Sequence, residues 1–423
     1  MCSCASNAMK ILLINPNTLR TPPVPPIGLE YAASALRMQG HDVELLDLCF
    51  SAEPLDILAR TIARFRPEAA GITVRNTDSV LFQGNEFYLD GIRGLVDVLR
   101  TRHRIPVFAG GAALRADPEG IVRYIGADCG VVGLSAESLA ACLRKIREGR
   151  AGVSCLQGPD RTSSCGRDIG CTDYPRYLRE GAVAGFLTHT GCSASCAYCI
   201  EADSPVSFRE PGDVIAELLR FREKGIDTFH LCDPEFNEDL EYCLDLLELL
   251  RRSGVTISWS LFMKPAQQNR KLFRLLAETG AGLVTLSVDS FRKCPLYWSD
   301  TEKIIFSARA EGIRVAVDFL TGFPYEDDET IDRSLDFFRR LQPDTVNINT
   351  YIRLYRRLKI TGIILADPGQ REHLIGFQGN EDLIRPVFYN RIPLDVIAGK
   401  IRGDSLFRFD AAGEGVNYSR LVK

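Results

Sequence analysis

The stretch GCSASCAYC, residues 191–199, sets Cys192, Cys196 and Cys199 in the spacing C-x3-C-x2-C. The run before it, VAGFLTH at 183–189, predicts a β-strand. After it, DVIAELLRFREKG at 213–225 has the three- and four-residue apolar spacing of a helix. The cysteines therefore lie on a loop that leaves a strand for a helix. Thiolates bind soft metals, and cysteine ligation is the rule for iron–sulfur clusters. A 4Fe–4S cube held by three cysteines keeps one iron open to an outside ligand. Two plainer readings compete: zinc, with His189 completing a Cys3His site, and three unrelated buried thiols. His189 lies inside the predicted strand, which strains a compact tetrahedral site. Spacing and loop position together favour the open cluster.

Working outward toward the carboxyl terminus, strand and helix alternate for six units. The strands fall near 183–189, 227–233, 256–263, 283–289, 314–320 and 344–351. Such a pattern predicts a partial (β/α)6 TIM-type barrel over 181–355, with its chemistry on loops at the carboxyl ends of the strands. A period of two sets Val284, Leu286 and Val288 against Thr285, Ser287 and Asp289. It likewise opposes Val346 and Ile348 to Asn347, Asn349 and Tyr351. If helices cover the apolar face, the polar groups look inward, where they need solvent or a ligand. This predicts a substrate cavity; the alternative is a polar interior whose groups satisfy one another. His230 and Lys264 are its candidate cations and Asp289 and Asp318 its candidate acids, which suits a small polar or zwitterionic substrate.

Working outward toward the amino terminus, five apolar runs alternate with helical patterns: KILLIN (10–15), DVELLDL (42–48), AAGITV (69–74), PVFAGG (106–111) and CGVVGL (129–134). They predict a flavodoxin-like, doubly wound, five-stranded parallel sheet over 9–150, an α/β domain with its ligand at the carboxyl ends of the strands. Residues 151–180 read as a linker, and the spacing of Cys155, Cys165 and Cys171 matches no compact metal site. Residues 356–423 read as a small α+β extension capping the barrel or packing beside it. Residues 1–8 are set aside, because Ser6-Asn7-Ala8 before Met9 has the look of a tag remnant.

With 45% hydrophobic and 25% charged residues, the composition is that of a globular protein. Against 55 acidic residues stand 51 Lys and Arg, a net charge of −4 spread along the chain. That excludes a basic footprint for nucleic acid and a polybasic membrane anchor. No apolar run reaches the ~18–20 residues of a bilayer span, and the start lacks a secretory pattern. The expected location is the cytoplasm, where the 14 cysteines stay free or bind metal.

On these residues the chain resembles the radical SAM superfamily, whose C-x3-C-x2-C loop carries an aromatic, here Tyr198, before the last cysteine. The resemblance implies that the open iron chelates the amino and carboxylate groups of S-adenosylmethionine (SAM). Reduction then cleaves the sulfonium to methionine and a 5′-deoxyadenosyl radical. Asp233 and Glu235, after strand two, stand where the family binds the SAM amino group, with Lys264 nearby after strand three. Ser287 and Asp289, ending strand four, resemble its ribose or carboxylate contact. Gly322 and Pro324, in TGFPYE after strand five, resemble the G-x-P-G-E turn beside the adenine, with Tyr325 in place of a glycine.

PPIGL (25–29) through GHDV (40–43) resembles the cobalamin-binding domain that precedes many such barrels. It implies cobalamin on the carboxyl ends of the first sheet near Thr73, Gly110, Gly111 and Ser135, the glycines letting a flat ring approach the backbone. No D-x-H-x-x-G occurs, so no loop histidine serves as lower axial ligand. The family's G-E-G-E reads Gly133-Leu134-Ser135-Ala136-Glu137 here, and its R-L-Y-P-G-T reads Arg353-Leu354-Tyr355-Arg356-Arg357-Leu358.

The expected activity is cobalamin-dependent methyl transfer to a small polar substrate, fed by a cytosolic one-electron reductant of the flavodoxin or ferredoxin type. One alternative is a cobalamin-independent radical SAM enzyme with a vestigial first domain, using the 5′-deoxyadenosyl radical or transferring another SAM group. Another is a non-catalytic iron–sulfur or zinc protein. Cys294, beside Arg292 and Lys293, and Cys232, beside His230, are candidate catalytic thiols: adjacent cations lower a thiol pKa, and both lie on carboxyl-end loops.

Overall fold

A computed structural model describes residues 8–409 apart from 134, 151, 153, 159–165 and 267. Cys165 thus lies outside the described residues. The chain divides into two compact units, one comprising residues up to 79, 86–182 and 207–209, the other 80–85, 183–206 and 210 onward.

In the first unit, strands β1 (Lys10–Asn15), β2 (Asp42–Asp47), β3 (Ala69–Thr73), β4 (Val107–Gly110), β5 (Cys129–Val132) and β6 (Cys155–Gln157) form one sheet in the order β2-β1-β3-β4-β5-β6. Every neighbouring pair is parallel. The expected sheet had five strands; the sixth comes from the segment read as a linker. Three residues show no resolvable period, so only pairing with β5 reveals them as a strand. Helices α1 (Ile27–Met38), α2 (Pro54–Phe65), α3 (Leu89–Asp97), α4 (Pro118–Ile125) and α5 (Ala136–Arg147) connect the strands. Leu29, Ala33 and Leu36 of α1 meet Leu139, Cys142 and Leu143 of α5 in one core with Ile11, Leu13 and Phe108.

Residues after β6 are also part of this unit. The guanidinium of Arg167 pairs with the Glu30 carboxylate, both side chains fully buried. Tyr174, opening α6 (Tyr174–Arg179), donates its hydroxyl to Glu30 Oε2 at 3.1 Å.

The second unit is built on β7 (Ala184–Phe186), the paired β8 (His189–Cys192) and β9 (Ser204–Phe208), β10 (Thr228–Leu231), β11 (Ser258–Met263), β12 (Ala281–Asp289), β13 (Arg314–Leu320) and β14 (Thr345–Asn349). β15 (Ile352–Arg353), β16 (Leu374–Ile375) and β17 (Phe388–Tyr389) make a small antiparallel sheet, and β18 (Phe407–Phe409) returns to the main one. The main sheet is parallel throughout, in the order β18-β14-β13-β12-β11-β10-β7. All six expected strands are present. The seventh, β18, comes from the C-terminal extension and joins β14 at the sheet's end. Helices α7 (Pro211–Glu223), α8 (Leu240–Ser253), α9 (Arg270–Glu278), α10 (Pro295–Ala310), α11 (Asp328–Leu341) and α12 (Lys359–Ala366) follow the strands.

Both faces of this sheet are buried, as a parallel sheet requires. Leu286, Val288, Val346 and Ile348 are inaccessible on one face; Ser260, Thr285, Asp289 and Asn347 are at most 2% exposed on the other. That polar face is largely self-satisfied. Asn347 Nδ2 donates to Asp318 Oδ1 (2.5 Å), Arg408 bonds Asn347, and His230 shares a 2.9 Å bond with Ser260. Among the described residues no helix is long and apolar enough to cross a membrane.

Removing one partner of a buried ion pair leaves the other charge uncompensated. Arg167→Ala should therefore lower the unfolding free energy of the full chain by about 3–5 kcal/mol in urea titration. The double variant Glu30→Leu, Arg167→Met should recover most of that loss; equal losses in both would show that the pair does not hold α1.

Candidate active site

The cysteine loop begins where β8 ends on Cys192, and neighbouring elements pin it along its length. The Ser193 N–H and Oγ donate to Glu238 Oε1 and Oε2 at 3.1 and 2.6 Å. Lys264 Nζ closes that clamp, 2.7 Å from Glu238 Oε1 and 3.3 Å from Ser193 Oγ. Farther along, the Asp203 N–H donates to the Ala194 carbonyl at 3.0 Å. The Asp203 carboxylate takes the Ser195 hydroxyl at 2.5 Å and Lys359 at 2.6 Å. The Ile360 N–H, from α12, donates to the Ala197 carbonyl at 3.0 Å. Tyr198 donates its hydroxyl to Asp289 Oδ2 at 3.0 Å and rests its ring 5.3 Å from that of Phe323.

Each of the three sulfurs faces an N–H donor. The Ala194 N–H donates to Cys192, the Arg292 guanidinium to Cys196 at 3.1 Å, and the Glu201 N–H to Cys199 at 3.4 Å. Burial nonetheless pushes the free thiols up, Cys192 to about 12 and Cys199 to about 11, with Cys196 also raised against the pull of Arg292. Such sulfurs lose their protons when a cation compensates them, as a bound metal does. Among the described residues no three histidine, cysteine or acidic side chains already converge as metal ligands. The donor set, three soft sulfurs each with an N–H donor on one tethered loop, fits an iron–sulfur cluster.

The remaining candidates separate by position. One Glu235 oxygen accepts from Ser287, while Oε2 is buried with no partner among the described residues. Burial raises this carboxyl to about 8, against the pull of Ser287 and Lys264. Burial also lowers His230, to about 4. Asp233 is otherwise engaged: it accepts from the Thr188 N–H at 2.8 Å and from the Thr188 hydroxyl, and lies 3.1 Å from His189 Nδ1. Asp289 accepts the Arg292 N–H at 3.0 Å as well as Tyr198. The turn holding Gly322 and the buried Pro324 wraps Glu326, whose carboxylate takes the Thr321 hydroxyl (2.8 Å), the Gly322 N–H and the Phe323 N–H (2.9 Å). Tyr325 has φ 63°, a left-handed conformation that explains why a glycine suits this place.

Cys294 is exposed at the N-cap of α10 and Cys232 is exposed at the end of β10. Arg292, expected to act on Cys294, directs its guanidinium to Cys196 instead. This contact, like the Glu238 clamp, has no signature in spacing, because it joins residues 96 positions apart and the clamp gathers Ser193, Glu238 and Lys264 from three separate segments.

The first unit holds a cleft of about 480 Å³ at the carboxyl ends of β1, β2 and β3, lined by Asn17, Leu48, Thr73, Arg75, Tyr88 and Gly91 among others. It lies at the switch point between β1 and β3, where doubly wound sheets bind ligands. No histidine is among its lining residues, in keeping with the missing D-x-H-x-x-G. Of the four residues expected around cobalamin, Thr73 lines this cleft and Gly110, Gly111 and Ser135 do not. Gly111 has φ 112°, and a Cβ there would stand 2.4 Å from the Val74 carbonyl oxygen. A neighbouring backbone, rather than a flat ring, therefore accounts for that glycine. Ser135 is fully buried and caps α5 by accepting the Ser138 N–H at 3.2 Å.

Residues 19–143 match the family model described as B12 binding domain, and residues 186–338 that of the Radical SAM superfamily. The chain is 24% identical to a tryptophan 2-C-methyltransferase of Streptomyces laurentii, over 96% of this chain and 82% of the relative. It is 23% identical to a cytidylyl-2-hydroxyethylphosphonate methyltransferase of Streptomyces wedmorensis, over 74% of this chain and 73% of that one. The radical S-adenosylmethionine methyltransferase TsrM of Kitasatospora setae, solved with tryptophan and a SAM analog, shares the fold with a TM-score of 0.80. That match has 22% identity and covers 93% of this chain and 88% of the other.

Gly191, ahead of the first cysteine, has φ 83°, and a Cβ there would lie 2.0 Å from the Pro205 carbonyl oxygen of β9. Gly191→Ala should destabilise the chain by about 1–3 kcal/mol and weaken iron retention after anaerobic reconstitution. Unchanged melting together with unchanged iron content would show that the β8–β9 pairing does not shape the loop.

Proposed function

Starting from a chain that belongs to the radical SAM superfamily and carries a B12 binding domain in its first half, we propose that it is a cobalamin-dependent radical SAM methyltransferase acting on a small polar substrate in the cytoplasm. The observation that carries this reading is the tethered loop on which Cys192, Cys196 and Cys199 each meet an N–H donor. The cluster supplies one-electron reduction of SAM, and cobalamin supplies a carrier for the methyl group.

This chain's own residues position those groups. Cys192, Cys196 and Cys199 would hold three irons, while the Glu238–Lys264 clamp and the Tyr198–Asp289 bond fix the loop's path. Glu235 presents a buried, unpartnered carboxyl oxygen, suited to the SAM ammonium; an ammonium there also favours the ionised carboxylate. Ser287 and the turn at Gly322 and Pro324 suit the ribose and adenine sides. Asp233 acts one step back, holding Thr188 and His189 in place, and Asp289 likewise acts through Tyr198 and Arg292. Cobalamin would rest on the switch-point cleft of the first unit, with Thr73 at its edge and no histidine ligand.

The substrate reading rests on the two methyltransferase relatives, since His230 and Asp318 on the sheet's polar face already bond Ser260 and Asn347. Tryptophan and a cytidylyl phosphonate, named for two relatives, are both small and polar and are the first compounds to try. Cys232 and Cys294, both exposed, would serve as hydrogen-atom donors only if substrate reaches them.

Anaerobic reconstitution with iron, sulfide and hydroxocobalamin tests the reading. The chain should show iron–sulfur absorbance and retain cobalamin through gel filtration. With SAM and a reductant, mass spectrometry should find S-adenosylhomocysteine or 5′-deoxyadenosine. The triple variant Cys192→Ala, Cys196→Ala, Cys199→Ala should lose the cluster absorbance and all SAM cleavage. A full cluster in that variant would place the ligands elsewhere, and a cluster without retained cobalamin would overturn the cobalamin-dependent reading.

A further inference from the structure

The second unit has a basic cleft of about 370 Å³ between the first turns of α10 and α11. Arg292, Lys293 and Arg333 line it, Trp298 and Phe337 form its apolar side, and no carboxylate is among its lining residues. In a chain of net charge −4 this is a local excess of cations. The nearby acids stand at its margin. Glu329 forms an exposed 3.9 Å pair with Arg333, Asp327 caps α11 through the Thr330 N–H, and Asp289 lies behind Arg292 at 3.6 Å. The amino end of the 16-residue α10, with no side-chain cap from Cys294, adds the positive end of a helix dipole.

Arg292 distinguishes this cleft from an ordinary solvated patch. Its carbonyl accepts the Trp298 indole N–H at 2.9 Å, and its guanidinium donates to Cys196 Sγ at 3.1 Å. The ring of Trp298 is held edge-on by Phe337, with centroids 5.0 Å apart. A path of one ring, one residue and two hydrogen bonds therefore runs from the cleft wall to a cysteine of the loop.

We propose that this cleft is the docking surface of an acidic one-electron carrier protein, and that the electron enters the site through Trp298, Arg292 and Cys196. The proposal rests on the cluster reading above. In balance, the carrier is oxidised by one electron and the sulfonium of SAM is reduced by one. The broken S–C bond leaves its electron pair on the methionine sulfur, together with an odd electron on the carbon. Charge complementarity speeds the encounter, and Arg292 belongs both to the cleft wall and to the contact with Cys196. A nucleic acid or a lipid surface would have no use for that path.

Anaerobic stopped-flow reduction of the reconstituted full chain tests this, with a reduced acidic ferredoxin or flavodoxin as carrier and dithionite as small reductant. Lys293→Glu with Arg333→Glu alters the cleft without touching the cysteine loop. At low salt the carrier-driven rate should fall about tenfold or more in this variant. The difference should shrink as ionic strength rises, and the dithionite rate should be unchanged. Equal carrier rates in both proteins, an equal fall with dithionite, or no reduction of the unsubstituted chain by either carrier would overturn the docking proposal while leaving the cluster reading in place. An unsubstituted chain without iron–sulfur absorbance would overturn both.

Discussion

The mouth of the second unit depends on the carboxylate of Asp289, which ends β12. It accepts the Tyr198 hydroxyl at 3.0 Å and the Arg292 N–H at 3.0 Å, and the Arg292 guanidinium reaches Cys196. One buried acid thus fixes both the aromatic before Cys199 and the donor on Cys196. Burial raises its pKa, while Arg292, Tyr198 and Tyr297 pull the other way. Hydrogen bonds to charged groups are stronger than neutral ones, which suits a loop with little apolar surface of its own. The Glu238–Lys264 clamp does the same at the Ser193 end.

A parallel sheet covered on both faces normally fills with Val, Ile and Leu. Here one face instead carries Ser260, Thr285, Asp318 and Asn347, one from each of β11 to β14. Buried polar groups cost free energy unless they are paired, and most of these are. Glu235 departs from that rule: Ser287 meets one oxygen and nothing among the described residues meets the other. An unpaired buried carboxyl that acts on Cys196 and Cys199 is a poor stability device and a good place for an ammonium group. Strain and unsatisfied groups of this kind gather where a site does chemistry.

The first unit follows the same architectural rule with a different outcome. Its order β2-β1-β3-β4-β5-β6 puts the change of winding direction between β1 and β3, and the cleft sits there, at Asn17, Thr73 and Arg75. Gly111 and Ser135, on the loops after β4 and β5, serve the fold: Gly111 because Val74 passes against it, Ser135 because α5 needs a cap. A glycine needed by the backbone and one needed by a ligand look alike in a sequence.

Local periodicity by itself determined the two α/β halves, the six strands from 183 to 351, and a cysteine loop after the first of them; the separate β8–β9 pair that carries the loop emerged only in the fold. A period of two or of 3.6 is written in neighbouring residues and survives without knowledge of partners. The positions of Glu235, Ser287, Asp289 and Gly322 at strand ends were legible for the same reason. Tertiary structure alone decided what those groups touch. The three-residue β6 and β18 exist because β5 and β14 offer them edges. Asp233 turns inward because Thr188 and His189 face it across 45 and 44 positions. Arg292 meets Cys196 across 96 positions rather than Cys294 two residues away. Such contacts arise from how distant strand ends converge, and no spacing in the chain encodes that convergence.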